Sequence, residues 1–253
     1  MYATERQQEI LRVAREDGRV DVPALAELFQ VTAETIRRDL TALDRAGLVN
    51  RVHGGAIPVG RLDFEPDLAV REAASADEKD RIARAALAQL PAEGSVALDA
   101  GSTVARLAAL VPLQSELTVV THALPSAARL ADHPGIQLFL VGGRVRQRTR
   151  AAVDGWALSA YAETRTDVAF MGANGFSVPG GLTTPDHSEA QVKRAIVAGA
   201  RRVVLLADST KFGLTQFARF AELADVDVLI TDTGLGTEDA TAIEHEGTEV
   251  VRA

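Results

Sequence analysis

Apolar positions along this chain follow two spacings, and the spacing changes near residue 48 and again near residue 77. Ile10, Val13 and Ala14 recur at helical intervals, and Thr4 with Gln7 has the S/T-x-x-E/Q spacing of a capping box. Gly18 is placed to stop this first helix. Asp21 is placed to cap a second, with Pro23 in its first turn, where a missing N–H costs little. Leu25, Leu28 and Phe29 are expected to face inward. Gln30-Val31 leaves room for a tight turn only. Thr32 then caps a third helix, expected to continue to Ala46 and stop at Gly47. Beyond it, L-V-N-R-V-H-G-G-A-I alternates around a Gly-Gly pair, the pattern of a short hairpin. Three helices and a hairpin within residues 1–57 predict a winged helix-turn-helix.

Residues 58–76 contain Pro58, Gly60, Pro66 and the run A-A-S-A, and read as a linker, with Leu62, Phe64 and Leu68 as points where it packs. From residue 77 to 253 short apolar runs alternate with helical patterns. S-V-A-L-D, T-V-V-T, I-Q-L-F-L-V, D-V-A-F-M, R-V-V-L-L-A and V-D-V-L-I-T each read as a strand, and most end in polar or small residues. That alternation predicts an α/β domain with a mainly parallel sheet.

Composition adds exclusions. Of 253 residues, 47% are hydrophobic and 25% charged, the balance of a globular chain. With no cysteine there is no disulfide or thiolate metal site, and the five histidines form no metal-binding pair. No metal and no cofactor is expected. The first residues lack the basic start and apolar core of a signal peptide, and no apolar run reaches membrane-spanning length. A cytoplasmic protein without a membrane partner is the expectation.

The formal charge of −8 argues against bulk attraction to polyanions. Residues 1–57 carry eight arginines against nine acids, but residues 32–57 carry four against three. On a helical wheel Ile36, Leu40, Leu43 and Gly47 share one side of the third helix. Glu34, Arg38, Thr41 and Arg45 lie opposite, with Thr35 and Arg37 on the flanks. In a helix-turn-helix the first residues of this helix meet base edges, which places Thr35 and Arg38 there. Either Arg37 or Arg38 can pair bidentately with guanine while the other holds phosphate. Arg51 and His53 on the hairpin reach the flanking backbone or minor groove. A solvated amphipathic helix would show the same arginines; the ordered set of caps, turn and hairpin favours DNA.

In the second domain the strand ends gather Asp99, Gly101, Ser102 and Thr103; Thr121 and His122; Gly142 and Gly143; Gly172 and Asn174; and Asp208 and Lys211. Ligands of open α/β sheets bind at this edge. Gly101 permits close backbone approach, Ser102 and Thr103 offer hydroxyls where a helix opens, and Lys211 adds charge, a combination suited to phosphate. The run R-V-R-Q-R-T-R (144–150) reads as an exposed strand or lid that captures phosphate, contacts another subunit or is simply solvated. Glu189 and Lys193 have the spacing of a helix-surface ion pair. Trp156 is expected in the core or as an interface anchor.

Two stretches carry a family resemblance. The run from Arg19 to Ala56, with V-T-A-E-T-I-R-R-D-L at its centre, resembles the N-terminal signature of the DeoR family of bacterial transcription regulators. D-A-G-S-T, V-V-T-H-A-L, L-V-G-G, D-V-A-F-M-G-A-N-G, G-L-T-T and L-L-A-D-S-T-K-F-G resemble the family's effector domain between about Lys79 and Asp232. The resemblance implies a sugar-phosphate sensor with the fold of ribose-5-phosphate isomerase, with Thr32 as the cap and His122 standing where the family usually has asparagine. D-V-A-F-M-G-A-N-G and A-A-V-D-G resemble the fructose-operon (sugar phosphotransferase) repressors of actinobacteria, which implies fructose 1-phosphate or a related hexose phosphate as effector. Operator DNA and a homo-oligomer, dimer or tetramer, are the implied partners. The rival is an isomerase-like enzyme carrying a DNA-binding domain. Where similar isomerases hold carboxylates, 171–175 offers Gly, Asn and Gly, which take no proton; Asp186 and Glu189 nearby keep the enzyme reading open. No catalytic residue is assigned.

Overall fold

The computed structural model describes residues 3–45, 48–52, 54–58, 65 and 67–253. The chain divides into two compact units, residues 1–66 and 67–253.

In the first unit, α1 (Ala3–Asp17), β1 (Val20–Asp21), α2 (Val22–Phe29) and α3 (Ala33–Arg45) precede the hairpin of β2 (Val49–Val52) and β3 (Gly55–Pro58). Gly18 ends α1 at φ +76°, donating to Ala14 O. Ile10, Ala14, Val22, Leu25, Ile36, Leu40, Leu43 and Val49 form one core. β3 is the middle strand of a three-stranded antiparallel sheet with β1 and β2. Gly55 makes this possible, because a Cβ there would lie 1.9 Å from Val20 O.

Three local expectations need correction. Thr4 lies inside α1 rather than before it. Asp21 occupies the N-cap position of α2, but its side chain makes no capping bond and pairs with Arg19 at 3.0 Å. Leu28 is 60% exposed, because the short α2 presents the stripe Val22, Leu25 and Phe29 to the core and Leu28 falls off its edge. The expected stop at Ala46-Gly47 lies outside the described residues.

The second unit opens with α4 (Leu68–Ala73), inside the stretch read as linker, and α5 (Ala76–Ala86). Then follow β4 (Glu93–Leu98), α6 (Ser102–Leu110), β5 (Glu116–Thr121), α7 (Leu124–Leu130), β6 (Ile136–Leu140), β7 (Arg144–Arg146), β8 (Ala151–Val153), α8 (Asp154–Ala162) and β9 (Thr166–Met171). After these come β10 (Gly175–Ser177), β11 (Gly181–Thr184), α9 (His187–Gly199), β12 (Ala200–Leu206), β13 (Ala218–Ala221), β14 (Val228–Thr231), α10 (Thr237–Glu244) and β15 (Glu249–Arg252).

Seven strands make a parallel sheet in the order β15-β14-β12-β9-β4-β5-β6. α5, α6 and α7 bury Ile82, Leu107 and Leu130 on one face, and α8, α9 and α10 bury Ala157, Ile196 and Ile243 on the other. From β4 the order runs to β5 and β6 on one side and to β9 and beyond on the other. The loops leaving β4 and β9 therefore diverge and open a crevice at the carboxyl edge of the sheet, the switch point where such folds take ligands.

Candidate functional site: a reading helix and a cationic strand-end pocket

The outward side of α3 is built on fixed contacts beneath it. Asp39, in the middle of T-I-R-R-D-L, is buried and accepts from Arg6 Nε at 2.6 Å and Gln7 Nε2 at 3.0 Å. This locks α3 to α1 and neutralises one of the acids counted against DNA binding. Thr32 Oγ1 accepts from Thr35 N at 3.2 Å and lies 2.9 Å from Thr35 Oγ1, so it caps α3 as expected. Thr41 Oγ1 donates to Arg37 O at 2.7 Å and accepts from Arg51 Nη1 at 3.1 Å, tying the hairpin to the helix. Arg37 and Arg38 each lie 3.6 Å from Glu34, and the Arg38 side chain is 82% exposed. Arg45 is also exposed. His53 lies outside the described residues.

In the second unit the crevice is lined by Gly101, Ser102 and Thr103 at the start of α6, by Gly172 and Asn174 after β9, and by Arg71, Lys193 and Lys211. The first N–H groups of α6 have no partner within the helix, so they and three cations face one space. Asp99 lies directly beneath, fully buried. Its Oδ2 accepts from Gly172 N at 2.9 Å and from Lys193 Nζ, which also donates to Gly172 O at 3.1 Å. His122 is buried behind Asp99, with Nε2 3.7 Å from Asp99 Oδ1 and Nδ1 3.1 Å from the Tyr161 hydroxyl. Burial first, and Lys193 after it, press the His122 pKa down to about 4 against the opposing pull of Asp99, so the ring is neutral at pH 7. Asp99 Oδ1, His122 Nε2 and Thr103 Oγ1 have no hydrogen-bond partner among the described residues.

Other residues expected at this edge have structural roles. Thr121 Oγ1 donates to Leu98 O and accepts from Ala123 N, so its hydroxyl is committed to the backbone. Gly142 and Gly143 do not line the crevice; a Cβ on Gly143 would lie 2.7 Å from Val153 O, so this glycine serves the approach of β8. Asp208 sits 3.9 Å from Lys211 and accepts from Thr210.

The arginine run forms the β7–β8 hairpin and is largely paired. Arg144 bonds Asp154, Arg146 reaches Glu189 at 2.5 Å and Asp186 at 3.1 Å, and Arg148 lies 3.8 Å from Asp67. Asp186 also caps α9 by accepting from Glu189 N. Both carboxylates considered for catalysis are thus held by cations and backbone. Trp156 is 82% exposed, which removes it from the core.

Lys193, whose spacing from Glu189 predicts a surface ion pair, is buried. It and Glu189 are each 1% exposed, 3.8 Å apart. The signal was present: Lys193 stands three residues from both Ala190 and Ile196, on the apolar stripe of α9. Arg71 carried no such mark, because only folding brings α4 to the strand ends.

Residues 6–59 match the DeoR-like helix-turn-helix domain and residues 74–233 match the DeoR C-terminal sensor domain. The chain belongs to the DeoR family. It is 38% identical over 253 residues to the HTH-type transcriptional regulator GlpR of Haloferax volcanii, covering 99% of this chain and 98% of that one. It is 32% identical to the glycerol-3-phosphate regulon repressor of Escherichia coli, over 92% of each. It is also 32% identical to the uncharacterized HTH-type transcriptional regulator FruR of Bacillus subtilis, over 100% of this chain and 98% of the relative. This DeoR-family chain is accordingly a DNA-binding transcriptional regulator with a sensor domain. Among solved structures, a ribose 5-phosphate isomerase of Methanocaldococcus jannaschii aligns over 55% of each chain at 16% identity and a TM-score of 0.41. No helix among the described residues is long and apolar enough to cross a membrane.

Proposed function

We propose that this regulator represses a sugar-utilisation operon and is controlled by a phosphorylated sugar such as fructose 1-phosphate. The observation that carries this reading is the crevice at the β4/β9 switch point, where the start of α6 faces Arg71, Lys193 and Lys211. Helix N–H groups and converging cations suit a phosphate, and the Ser102 and Thr103 hydroxyls and the Asn174 amide that line the same crevice suit the hydroxyls of a sugar. By contrast, the depression of about 450 Å³ at the opposite end of the sheet is lined by Glu116 and Asp167 and by no cation, the wrong sign for such a ligand.

DNA would be read by α3. Arg38 and Thr35 stand toward base edges, and Arg37, Thr41, Arg45 and Arg51 toward phosphates, in a dimer or tetramer whose symmetry sets the half-site spacing. The effector shifts the grip on DNA only through different affinities for the two states of the protein.

A thermal-shift screen of hexose, pentose and triose phosphates tests the reading. A ligand at about 100 times its Kd stabilises the folded chain by about 2.7 kcal/mol. Stabilisation by a sugar phosphate and not by the parent sugar is the expected result. A flat response to every phosphate ester rejects it.

A further inference from the structure

α4 is a six-residue helix that buries one apolar side chain, Leu68; Val70 is 59% exposed. Packing of that extent does not hold a helix of this length. Polar contacts hold it instead. Arg71 O accepts from Lys79 Nζ at 2.6 Å, Ala74 O accepts from the same nitrogen, and Glu72 O accepts from Arg106 Nη2 at 2.9 Å. At its start Asp67 lies 3.8 Å from Arg148. Two residues, Ala74 and Ser75, separate α4 from α5, and Ser75 sits at φ +50°, a conformation unfavourable for a residue with a Cβ.

Arg71 lines the crevice together with Ser102, Thr103 and Lys211. Along the chain, α4 is the first element after the unit that carries the reading helix. We propose that Arg71 is a ligand of the effector's phosphate and that α4, which carries it, is the element through which the bound phosphate acts on the chain leading to the DNA-binding unit. This rests on the sugar-phosphate reading of the crevice.

Lys79 supports the assignment. It is 3% exposed, and burial, followed by the nearby charge of Lys211, brings its pKa down to about 7, with Arg106 and Arg71 pushing the same way and Asp208 against. Lys211, Arg106 and Arg71 thus all repel a charge on Lys79. A phosphate dianion held by Arg71 and Lys211 offsets that mutual repulsion and ties α4 to the start of α6 and to the 208–211 turn. A weakly packed helix with a phosphate ligand on one side and the linker on the other suits a ligand-driven change of order.

The test uses the full-length protein with fructose 1-phosphate and glycerol 3-phosphate, titrated separately by calorimetry, and inorganic phosphate as a control. Amide exchange over residues 68–74 is followed in the same samples. Wild type at saturation is expected to slow exchange across α4. Arg71→Gln, with its unliganded melting temperature unchanged, is expected to bind the ester about tenfold to a hundredfold more weakly and to lose the α4 protection even when saturated. A Kd within twofold of wild type, or α4 exchange unaffected in saturated wild type, overturns the inference. Should Arg71→Gln not fold, Arg71→Lys replaces it; losing the bidentate fork is expected to cost at least about threefold, and an unchanged Kd overturns the inference. Failure of wild type to bind either ester removes the sugar-phosphate reading together with this one. Weaker binding by Ser102→Ala with normal binding by Arg71→Gln removes the Arg71 assignment alone.

Discussion

Single side chains in this molecule do more than their type suggests. His122 is uncharged and wholly buried because a cation at that depth, beside Lys193, is disfavoured. Its pKa is about 4 in the folded chain against about 6.5 when exposed, so between those values the unfolded chain binds more protons. Its contribution is therefore complete above about pH 6.5 and lost as pH falls toward 4. We expect His122→Asn to flatten the pH dependence of the urea midpoint in that window, by on the order of 3 kcal/mol in total; an unchanged slope would show that the ring titrates normally. Arg38 presents the opposite case. It is exposed and aimed outward, and Arg38→Ala should weaken operator binding by about 1–3 kcal/mol if it pairs with a base. Unchanged affinity in a fluorescence-anisotropy titration would assign base reading elsewhere, with Arg37 the next candidate.

Elements came through the sequence unequally. α3 was legible because a capping threonine, an apolar seam and an outward polar side occur together, and Ile36, Leu40 and Leu43 are buried. The inward Asp39 was not legible, since an aspartate between an arginine and a leucine looks solvated until α1 supplies Arg6 and Gln7. Breaking this buried pair should be costly. We expect Asp39→Ala to destabilise the first unit by roughly 3 kcal/mol, seen as a lower thermal midpoint, and to reduce DNA binding through misplacement of α3. If stability is unaffected, the Arg6–Asp39 bond does not set the packing of α3. In α9 the same blindness hid Lys193, whose Glu189 neighbour suggested a surface pair. In the 144–150 run, Arg144, Arg146 and Arg148 hold Asp154, Glu189, Asp186 and Asp67 instead of standing ready for a phosphate.

For the whole chain, the proposed control by a phosphorylated sugar requires that binding in one unit change what the other does. The effector response should depend on residues far from α3 in sequence. Ser102→Ala combined with Lys211→Ala is expected to abolish the response to the sugar phosphate while leaving operator affinity intact; a normal response in an operator-release assay would remove the strand-end site.

Local patterns were enough to reveal two architectures, the helical spacing, Thr32 cap and turns in residues 1–57 and the strand–helix alternation after residue 77, because both arise from contacts close in sequence. They also marked which loops end strands, and so which residues share the carboxyl edge. Strand order could not be read that way. Only the assembled sheet put β4 beside β9, opened the crevice between their loops, and brought Arg71, Asp99, Lys193 and Lys211 to it from four separate segments. Burial likewise emerged from packing, which took Asp39, Lys79, His122 and Lys193 out of water. The physical reason is one of range: helix caps, turns and alternation depend on neighbours a few residues apart, whereas charge placement and desolvation depend on partners that meet only when the chain has folded.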